Sequence, residues 1–217
     1  GHDQFPLIPQ SFYSHPSRMI FLDWQPAILK VSDAHAGMGK QKINGMQEFK
    51  DISTILQLHE DYSTTEPFID YEYGIRVQRV GQSITVMKKI PTGSSWKSQF
   101  GGSNLTIIEP TPDYIFWAEQ CSKLFGGLDL FAIDAVVDKN GKHWIIELNG
   151  TAIGILTEIW QEQSKLIVDL AVKRMNEIYI DGKKKPLYAN QLNSSSSSSN
   201  VASSSSSKTT TDTSKSS

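Results

Sequence analysis

Residues 133–149, with the sequence IDAVVDKNGKHWIIELN, constrain the fold more than any other segment. Asn140-Gly141 is the preferred dipeptide of a two-residue type I′ hairpin turn, because both central positions need a positive φ. If that turn closes, the ladder of the hairpin places Asp134 directly opposite Glu147. Directly opposed residues lie about 4.5–5.5 Å apart at Cβ, so we expect two negative charges that repel each other.

A divalent cation would relieve this repulsion. Side chains alternate between the two faces of a sheet, so Asn149 joins Glu147 on the face that carries Asp134. Two carboxylates and an amide oxygen then converge among apolar residues, and such hard oxygen ligands suit Mg²⁺, Mn²⁺ or Ca²⁺. The pattern therefore favours a metal site, with an exposed hairpin face and solvated acids as the alternative.

Composition excludes several classes of function. The 217 residues carry a net charge of −2 with a sequence pI near 6.2, so bulk electrostatics favour neither nucleic acid nor an anionic membrane surface. No apolar run approaches the ~20 residues of a membrane-spanning helix, and no secretory signal is visible. Cys121 is the only cysteine, which excludes an internal disulfide and fits a reducing, cytoplasmic compartment.

The chain divides into a globular part and a tail. Residues 1–182 carry the apolar segments of a folded domain, whereas 183–217 begin with three lysines and continue as a Ser- and Thr-rich stretch. Such a stretch cannot bury enough apolar surface to offset its ordering entropy. We therefore expect a lysine-rich linker followed by a disordered tail.

Apolar periodicity predicts an α+β fold with mainly antiparallel sheets. The predicted strands are 27–31, 73–80, 83–90 and the hairpin 128–149. Residues 63–69 are predicted to be extended, and Pro67 places them at a sheet edge or in a connection. The predicted helices are 46–59, one that starts at Thr111-Pro112 and ends at Gly126-Gly127, and 158–178. The inward positions of the second helix are expected to be Ile115, Ala118, Cys121 and Leu124.

Basic side chains accompany the strands of the first half. Lys30 interrupts an apolar strand, where a buried ammonium needs an anion beside it, unless the side chain extends to solvent. The loop 33–40 contains Gly37, Gly39 and Lys40, which suit an anion, although G-x-G-K is more often a plain turn. Cations beside a carboxylate-bound metal are what a triphosphate needs. The cations expected along one sheet are Lys30, Lys40, Arg76, Lys88 and Lys97.

Six segments occur in a characteristic order: FPLIPQSFY, ILKVSDAHAGMGKQKI, TTEPFIDYEYGIRVQRVG, MKKIPTGSSWK, CSKLFGGLDLFAIDAV and WIIELNG. In this order they resemble the ATP-binding part of synapsins, which belong to the ATP-grasp fold group. The similarity runs from about residue 5 to residue 179. It implies a cleft between two α+β lobes that grips ATP. It also implies that the amino-terminal subdomain of the family, which precedes this part, is lacking.

The resemblance implies a role for each candidate residue. The implied phosphate contacts are Lys30, Gly37, Gly39 and Lys40, and the implied adenine contacts are Glu66, Phe68 and Ile69. The residues implied on the phosphate and acceptor side are Arg76, Lys88 and Lys97. The implied ligands of Mg²⁺, or of Ca²⁺ or Mn²⁺, are Asp134, Glu147 and Asn149.

Three positions depart from the family pattern. Gly74 stands where an acidic residue is usual, which removes one polar contact. Lys88 stands where arginine is usual, so the charge is kept but the bidentate fork is lost. Asn149 replaces an apolar residue typical of synapsins and restores the E-x-N pattern of catalytic ATP-grasp ligases.

Three functions are open on these grounds. The resemblance favours a cytoplasmic ATP-binding protein without turnover, associated peripherally with vesicles or vesicle proteins, and homo-oligomeric if the full domain is present. The E-x-N pattern favours a ligase, in which a carboxylate attacks the γ-phosphate and an amine or thiol captures the acyl phosphate. A fragment that cannot bind nucleotide, for want of the amino-terminal subdomain, is the third alternative.

Overall fold

The computed structural model describes residues 5–19, 26–34, 37–58, 60–91, 105–155, 159–180 and 183–184. Lys97, the predicted tail beyond residue 184 and the predicted limits at residues 59 and 158 lie outside this part. The chain divides into two compact units, 1–170 and 171–217. In the second unit, β10 (Tyr179–Ile180) pairs with β11 (Lys183–Lys184). Both large sheets belong to the first unit.

Four short antiparallel strands form the first sheet in the order β1–β4–β2–β3. They are β1 (Ser11–Tyr13), β2 (Ala27–Val31), β3 (Lys40–Ile43) and β4 (Ser63–Pro67). Alternation gives this sheet two chemically different faces. One face carries Leu29 and Ile43, which are buried, and the helix α1 (Met46–Leu56) follows β3 directly.

Five antiparallel strands form the second sheet in the order β7–β6–β5–β8–β9. They are β5 (Tyr71–Val80), β6 (Ser83–Lys89), β7 (Leu105–Ile108), β8 (Leu130–Asp138) and β9 (His143–Asn149). The main hydrophobic core lies on one face of this sheet, where Ile75, Val77 and Ile133 pack with Trp117 and Ala118 of the helix α2. The opposite face is therefore free to carry polar residues.

The start of α2 (Pro112–Cys121) is as predicted, because the Thr111 side chain accepts the backbone N–H of Tyr114 and caps the helix. The prediction of the inward face of α2 is partly wrong. The helix buries Tyr114, Trp117, Ala118 and Cys121, whereas Ile115 and Leu124 are 38% and 42% exposed. The aromatic rings fill the core, and Leu124 lies beyond the helix in a 3-10 turn.

The last helix, α3 (Trp160–Ile178), buries the amide of Gln163, which belongs to the first unit. Gln163 accepts from Gln78 Nε2 at 2.9 Å and donates to Thr85 Oγ1 at 3.0 Å, which attaches the helix to β5 and β6. Among the described helices, none has the length and apolar content needed to cross a bilayer.

The β8–β9 hairpin closes differently from the predicted turn. Gly141 N–H donates to Asp138 O, and Asp138 N–H donates to Lys142 O, so residues 139–141 form a three-residue loop. Gly141 takes a φ of 78°, which such loops need at this position. The Asp138 carboxylate accepts the N–H groups of Asn140 and Lys142 and so stabilises the longer loop. The prediction of a two-residue turn is wrong.

A bulge restores the predicted register further along the hairpin. The loop pairs Ala135 with Ile145, but the register then shifts so that Asp134 pairs with Glu147 and Ile146 is the extra residue. The opposition of the two acids is therefore confirmed. It arises from a loop and a bulge whose one-residue shifts cancel.

Gly39 closes the β2–β3 turn in a conformation that only glycine adopts readily. Its φ is 66°, and a Cβ there would lie 2.9 Å from the carbonyl oxygen of Val31. We expect Gly39→Ala to lower the free energy of unfolding by about 1–3 kcal/mol in urea denaturation. Gly150→Ala, whose Cβ would meet nothing within 4 Å, should change it by less than about 0.5 kcal/mol. Equal losses would contradict this account.

Candidate functional site

Lys30 and Glu66 form a buried ion pair on the polar face of the first sheet. Lys30 Nζ lies 2.8 Å from each carboxylate oxygen of Glu66. Gln10 Nε2 donates to the same carboxylate at 2.6 Å, and Lys30 donates to the Ile146 carbonyl at 3.2 Å. The Lys30 side chain is 14% exposed, so it does not extend to solvent. The anion that a buried lysine requires is Glu66.

A second ion pair joins the two sheets. Lys40, the first residue of β3, donates from Nζ to Glu147 Oε2 of β9 at 3.0 Å. The two side chains are 7% and 25% exposed. The preceding residue Gly39 accepts the backbone N–H of Val31, which holds the turn that positions Lys40.

A third ion pair is buried within the second sheet. Arg76 and Asp134 are directly opposed on β5 and β8. Arg76 Nη1 donates to both oxygens of Asp134, at 2.9 and 3.0 Å. Arg76 also donates to the carbonyl of Ile153, which attaches the loop after β9. Asn149 Nδ2 donates to Asp134 Oδ2 at 2.8 Å, so three elements meet at this carboxylate.

Burial sets the electrostatics of Asp134. Desolvation raises the pKa of Asp134 from 3.8 to about 6, and the nearby charge of Glu147 raises it as well. The charge and hydrogen bonds of Arg76, with the amide of Asn149, oppose this rise. Asp134 is thus an acid that needs a cation beside it to stay ionised near neutral pH.

A cavity lies among the first two ion pairs. In this structure it leaves a space of about 40 Å³ for water-sized groups and is partly open to solvent, and Lys30, Lys40, Glu66 and Glu147 line it. Its apolar wall includes Ile8, Ile28, Val136 and Ile146. Phe68 and Ile69, just after β4, also line it. A lining of both charged and apolar groups suits a ligand that has an anionic part and an apolar part.

Comparison with known proteins decides the family. A family described as "Synapsin, ATP binding domain" matches residues 1–177. The chain belongs to this family. Synapsin of Drosophila melanogaster is 28% identical over 183 residues, which cover 82% of this chain and 18% of that protein. The chain therefore spans less than a fifth of the length of this curated relative, and its family membership supports ATP binding.

Solved structures show the fold of this synapsin-family domain. The D-alanine-D-alanine ligase from Coxiella burnetii is 15% identical with a TM-score of 0.56, over 79% of this chain and 54% of that one. D-alanyl-alanine synthetase A from Vibrio cholerae is 15% identical with a TM-score of 0.57, over 77% and 60%. A RiPP-associated ATP-grasp ligase from Chryseobacterium gregarium is 16% identical with a TM-score of 0.55, over 78% and 56%. The predicted α+β ATP-grasp fold is confirmed.

The predicted cations of this synapsin-family domain do not lie along one sheet, which corrects the sequence analysis. Lys30 and Lys40 belong to the first sheet, and Arg76 and Lys88 belong to the second. Lys88 pairs with the core residue Ile75 and lies 3.7 Å over the Tyr73 ring. Because side chains alternate, Lys88 lies on the face opposite Arg76, and the structure does not bring these two cations together.

Lys89 is a residue that the sequence analysis missed. It pairs with Gly74, shares the face of Arg76 and is only 5% exposed. Burial lowers the pKa of Lys89. The signal was present in the sequence, because the two-residue turn at Gly81-Gln82 fixes the pairing and therefore the face of Lys89.

Of the remaining predicted contacts, Phe68 and Ile69 line the cavity, whereas Gly37 and Gly39 are not among its lining residues. Gly37 and Gly39 lie in the β2–β3 turn with φ values of 82° and 66°. The backbone N–H of Phe68 donates to Pro26 O at 2.9 Å, so it is committed within the protein. Lys42 Nζ lies 3.6 Å from the centroid of the Phe68 ring, and this cation–π contact holds the orientation of the ring.

The donor set fits a hard divalent cation by its chemistry. Asp134, Glu147 and Asn149 carry carboxylate and amide oxygens at neighbouring positions of β8 and β9, and the Asn149 amide faces Asp134 with its nitrogen. In this structure Asp134 pairs with Arg76 and Glu147 pairs with Lys40. These internal cations already offset part of the repulsion between the two acids. Within the described ranges, no cluster of three or more His, Cys, Asp or Glu side chains is arranged for a metal, and the third donor here is an amide.

The raised pKa of Asp134 predicts a pH-dependent stability. Between pH 3.8 and about 6 the folded state binds more protons than the unfolded state, so the contribution of this group falls as pH rises. We expect the unfolding free energy of wild type, minus that of Asp134→Asn, to decrease by about 2–3 kcal/mol from pH 4 to pH 7. Urea denaturation across this range measures the difference.

Asp138→Asn is the control of opposite sign. Hydrogen bonds from Trp144 and the loop backbone lower the pKa of Asp138, so its contribution should be retained at neutral pH and lost on acidification. A difference for Asp134→Asn that does not change with pH would contradict the burial argument.

Proposed function

We propose that this synapsin-family domain binds ATP with a divalent cation in the cavity between its two sheets, and that it works by binding rather than by turnover. The observation that carries this proposal is the convergence of Lys30 and Lys40 on one cavity that also has an apolar wall. Family membership supports the identity of the nucleotide. ATP presents the anionic and apolar parts that such a cavity suits.

Lys30 is the proposed anchor for the phosphates. Glu66 and the Ile146 carbonyl hold its ammonium at a defined point, so little side-chain entropy is lost when an anion binds. Lys40 and the glycines before it would contact the phosphates from the β2–β3 turn. Glu66, Phe68 and Ile69 would border the adenine beside Ile28 and the rest of the apolar wall.

Asp134, Glu147 and Asn149 are the proposed metal ligands. The register of the β8–β9 hairpin supports this, because it puts the three residues on one face. Their carboxylate and amide oxygens are ligand types that suit Mg²⁺, with Ca²⁺ and Mn²⁺ as alternatives. The cation, once bound, would neutralise charge on the phosphate oxygens. Arg76 supports the site by pairing with Asp134 rather than by contacting phosphate, and Lys89 lies on the same face.

The proposed partners follow from the synapsin relationship. They are a vesicle membrane or vesicle proteins, and a second copy of the chain in the longer protein. Location on vesicles in the cytoplasm is part of the same proposal. Nucleic acid is not a proposed partner, because the net charge is −2.

Substitution of Lys30 tests the proposed phosphate contact. Lys30→Gln removes the charge but keeps a donor for Glu66, so we expect ATP affinity to fall about tenfold or more, as for the loss of a charged hydrogen bond. Isothermal titration with ATP and Mg²⁺ measures this. Lys142→Gln, at an exposed lysine over the Trp144 ring, should change the affinity by less than about twofold. Equal effects would argue against the role of Lys30.

A ligase is the second candidate, and Asn149 favours it. This residue completes the E-x-N pattern and lies within hydrogen-bond distance of Asp134. We expect no acceptor-dependent ADP formation when amino acids and small carboxylates are screened with amine and thiol acceptors. ADP that forms only with a carboxylate and an acceptor, and that is lost in Glu147→Gln, would establish turnover and contradict the binding-only proposal.

A further inference from the structure

Lys40 and Glu147 each have a second role in the proposed site, and their ion pair conflicts with both. Glu147 lies directly opposite Asp134, where the metal ligands converge, yet Lys40 binds one of its oxygens at 3.0 Å. Lys40 follows the glycine turn, where phosphates would lie, yet its ammonium is committed to Glu147. Neither residue can form its ligand contact fully while the pair is intact.

We propose that the Lys40–Glu147 pair is a latch across the cleft, which opens when Glu147 ligates a divalent cation and Lys40 contacts a triphosphate. This inference rests on the proposed function and adds a coupling between its two ligands. The pair joins β3 of the first sheet to β9 of the second sheet. Opening of the pair would leave the hydrogen bond from Lys30 of β2 to the Ile146 carbonyl of β9 as a remaining link between the two sheets.

Burial makes the two exchanges interdependent. If Glu147 turns to a cation, Lys40 is left 7% exposed without its anion, and an unpaired buried charge is strongly unfavourable. If Lys40 turns to a phosphate, Glu147 is left opposite the acid Asp134, and the like charges repel. Each exchange is unfavourable alone and compensated when both occur. The two ligands should therefore bind with positive coupling, which is reciprocal.

The neighbouring pair does not share this property. Glu66 is outside the metal donor set and is held by Gln10 as well as by Lys30. Lys30 lines the same cavity as Lys40, so neutralising either lysine makes the cavity more negative by one charge. Lys30→Met is therefore a charge-matched control that leaves Glu147 in its pair.

Binding of Mn²⁺ alone tests the latch without nucleotide. Free Mn²⁺ is followed by electron paramagnetic resonance during titration of the full chain, with thermal unfolding as a check of folding. Lys40→Met should bind Mn²⁺ at least about fivefold more tightly than Lys30→Met does, because only the first variant releases Glu147. The Mn²⁺ affinity of Lys40→Arg, which keeps the ion pair, should stay within about twofold of wild type. The double variant with Lys40→Met and Glu147→Gln should lose the increase in Mn²⁺ affinity that Lys40→Met shows.

Coupling to ATP gives a second readout. Mn²⁺ should raise the ATP affinity of wild type by a factor at least about fivefold larger than in Lys40→Met. Equal Mn²⁺ affinities for Lys30→Met and Lys40→Met would mean that any increase over wild type comes from the change in cavity charge. That result would overturn the latch. If the variants show the expected Mn²⁺ affinities but ATP does not bind, only the proposed nucleotide would be overturned. Absence of Mn²⁺ binding in every variant would overturn the latch and the proposed metal site together.

Discussion

The candidate site depends on how a carboxylate can be buried in the middle of a sheet. Asp134 is 4% exposed, and an isolated charge there would be neutralised by protonation. Arg76 on the neighbouring strand keeps it paired through two hydrogen bonds from one nitrogen. The same guanidinium attaches the loop at Ile153. The Arg76–Asp134 ion pair thus links β5 to β8 and holds the segment after β9. Glu147 lies directly opposite Asp134.

The position of Glu147 could be predicted from the sequence, but the route to it could not. Asn140-Gly141 indicates a tight turn, yet the Asp138 side chain accepts two loop N–H groups and favours a three-residue loop. The shift is then reversed by a bulge at Ile146. A bulge leaves no reliable mark on hydrophobic alternation, because one extra apolar residue fits either face. The predicted opposition of the acids was therefore correct through two compensating differences.

Local rules predicted the elements that depend on local contacts. The Thr111 cap, the Gly81-Gln82 hairpin and the strand 27–31 follow from propensity and turn chemistry, and the structure confirms them. The inward face of α2 and the sheet to which Lys88 belongs depend on tertiary packing. For α2, the volume of the side chains determines which of them fill the core. Trp117 and Tyr114 bury more surface than Ile115 would, so the helix turns its aromatic side inward. A prediction that Lys30 and Lys88 belong to different sheets would have required the complete strand order.

Charge balance in the cavity bears on what the domain can bind. Lys30, Lys40, Glu66 and Glu147 sum to zero in their paired state, so a triphosphate meets no net positive charge from them. A simple anion would gain little by entering, whereas in the proposed site a metal-bound triphosphate would offer a cation to Glu147 and an anion to Lys40. Such an arrangement would discriminate between phosphate alone and a metal complex by exchange of partners rather than by attraction at a distance. That selectivity would serve a reversible binder as well as an enzyme. Asn149, whose Nδ2 donates to Asp134 and which completes the E-x-N pattern, is therefore the residue that bears most on the distinction between them.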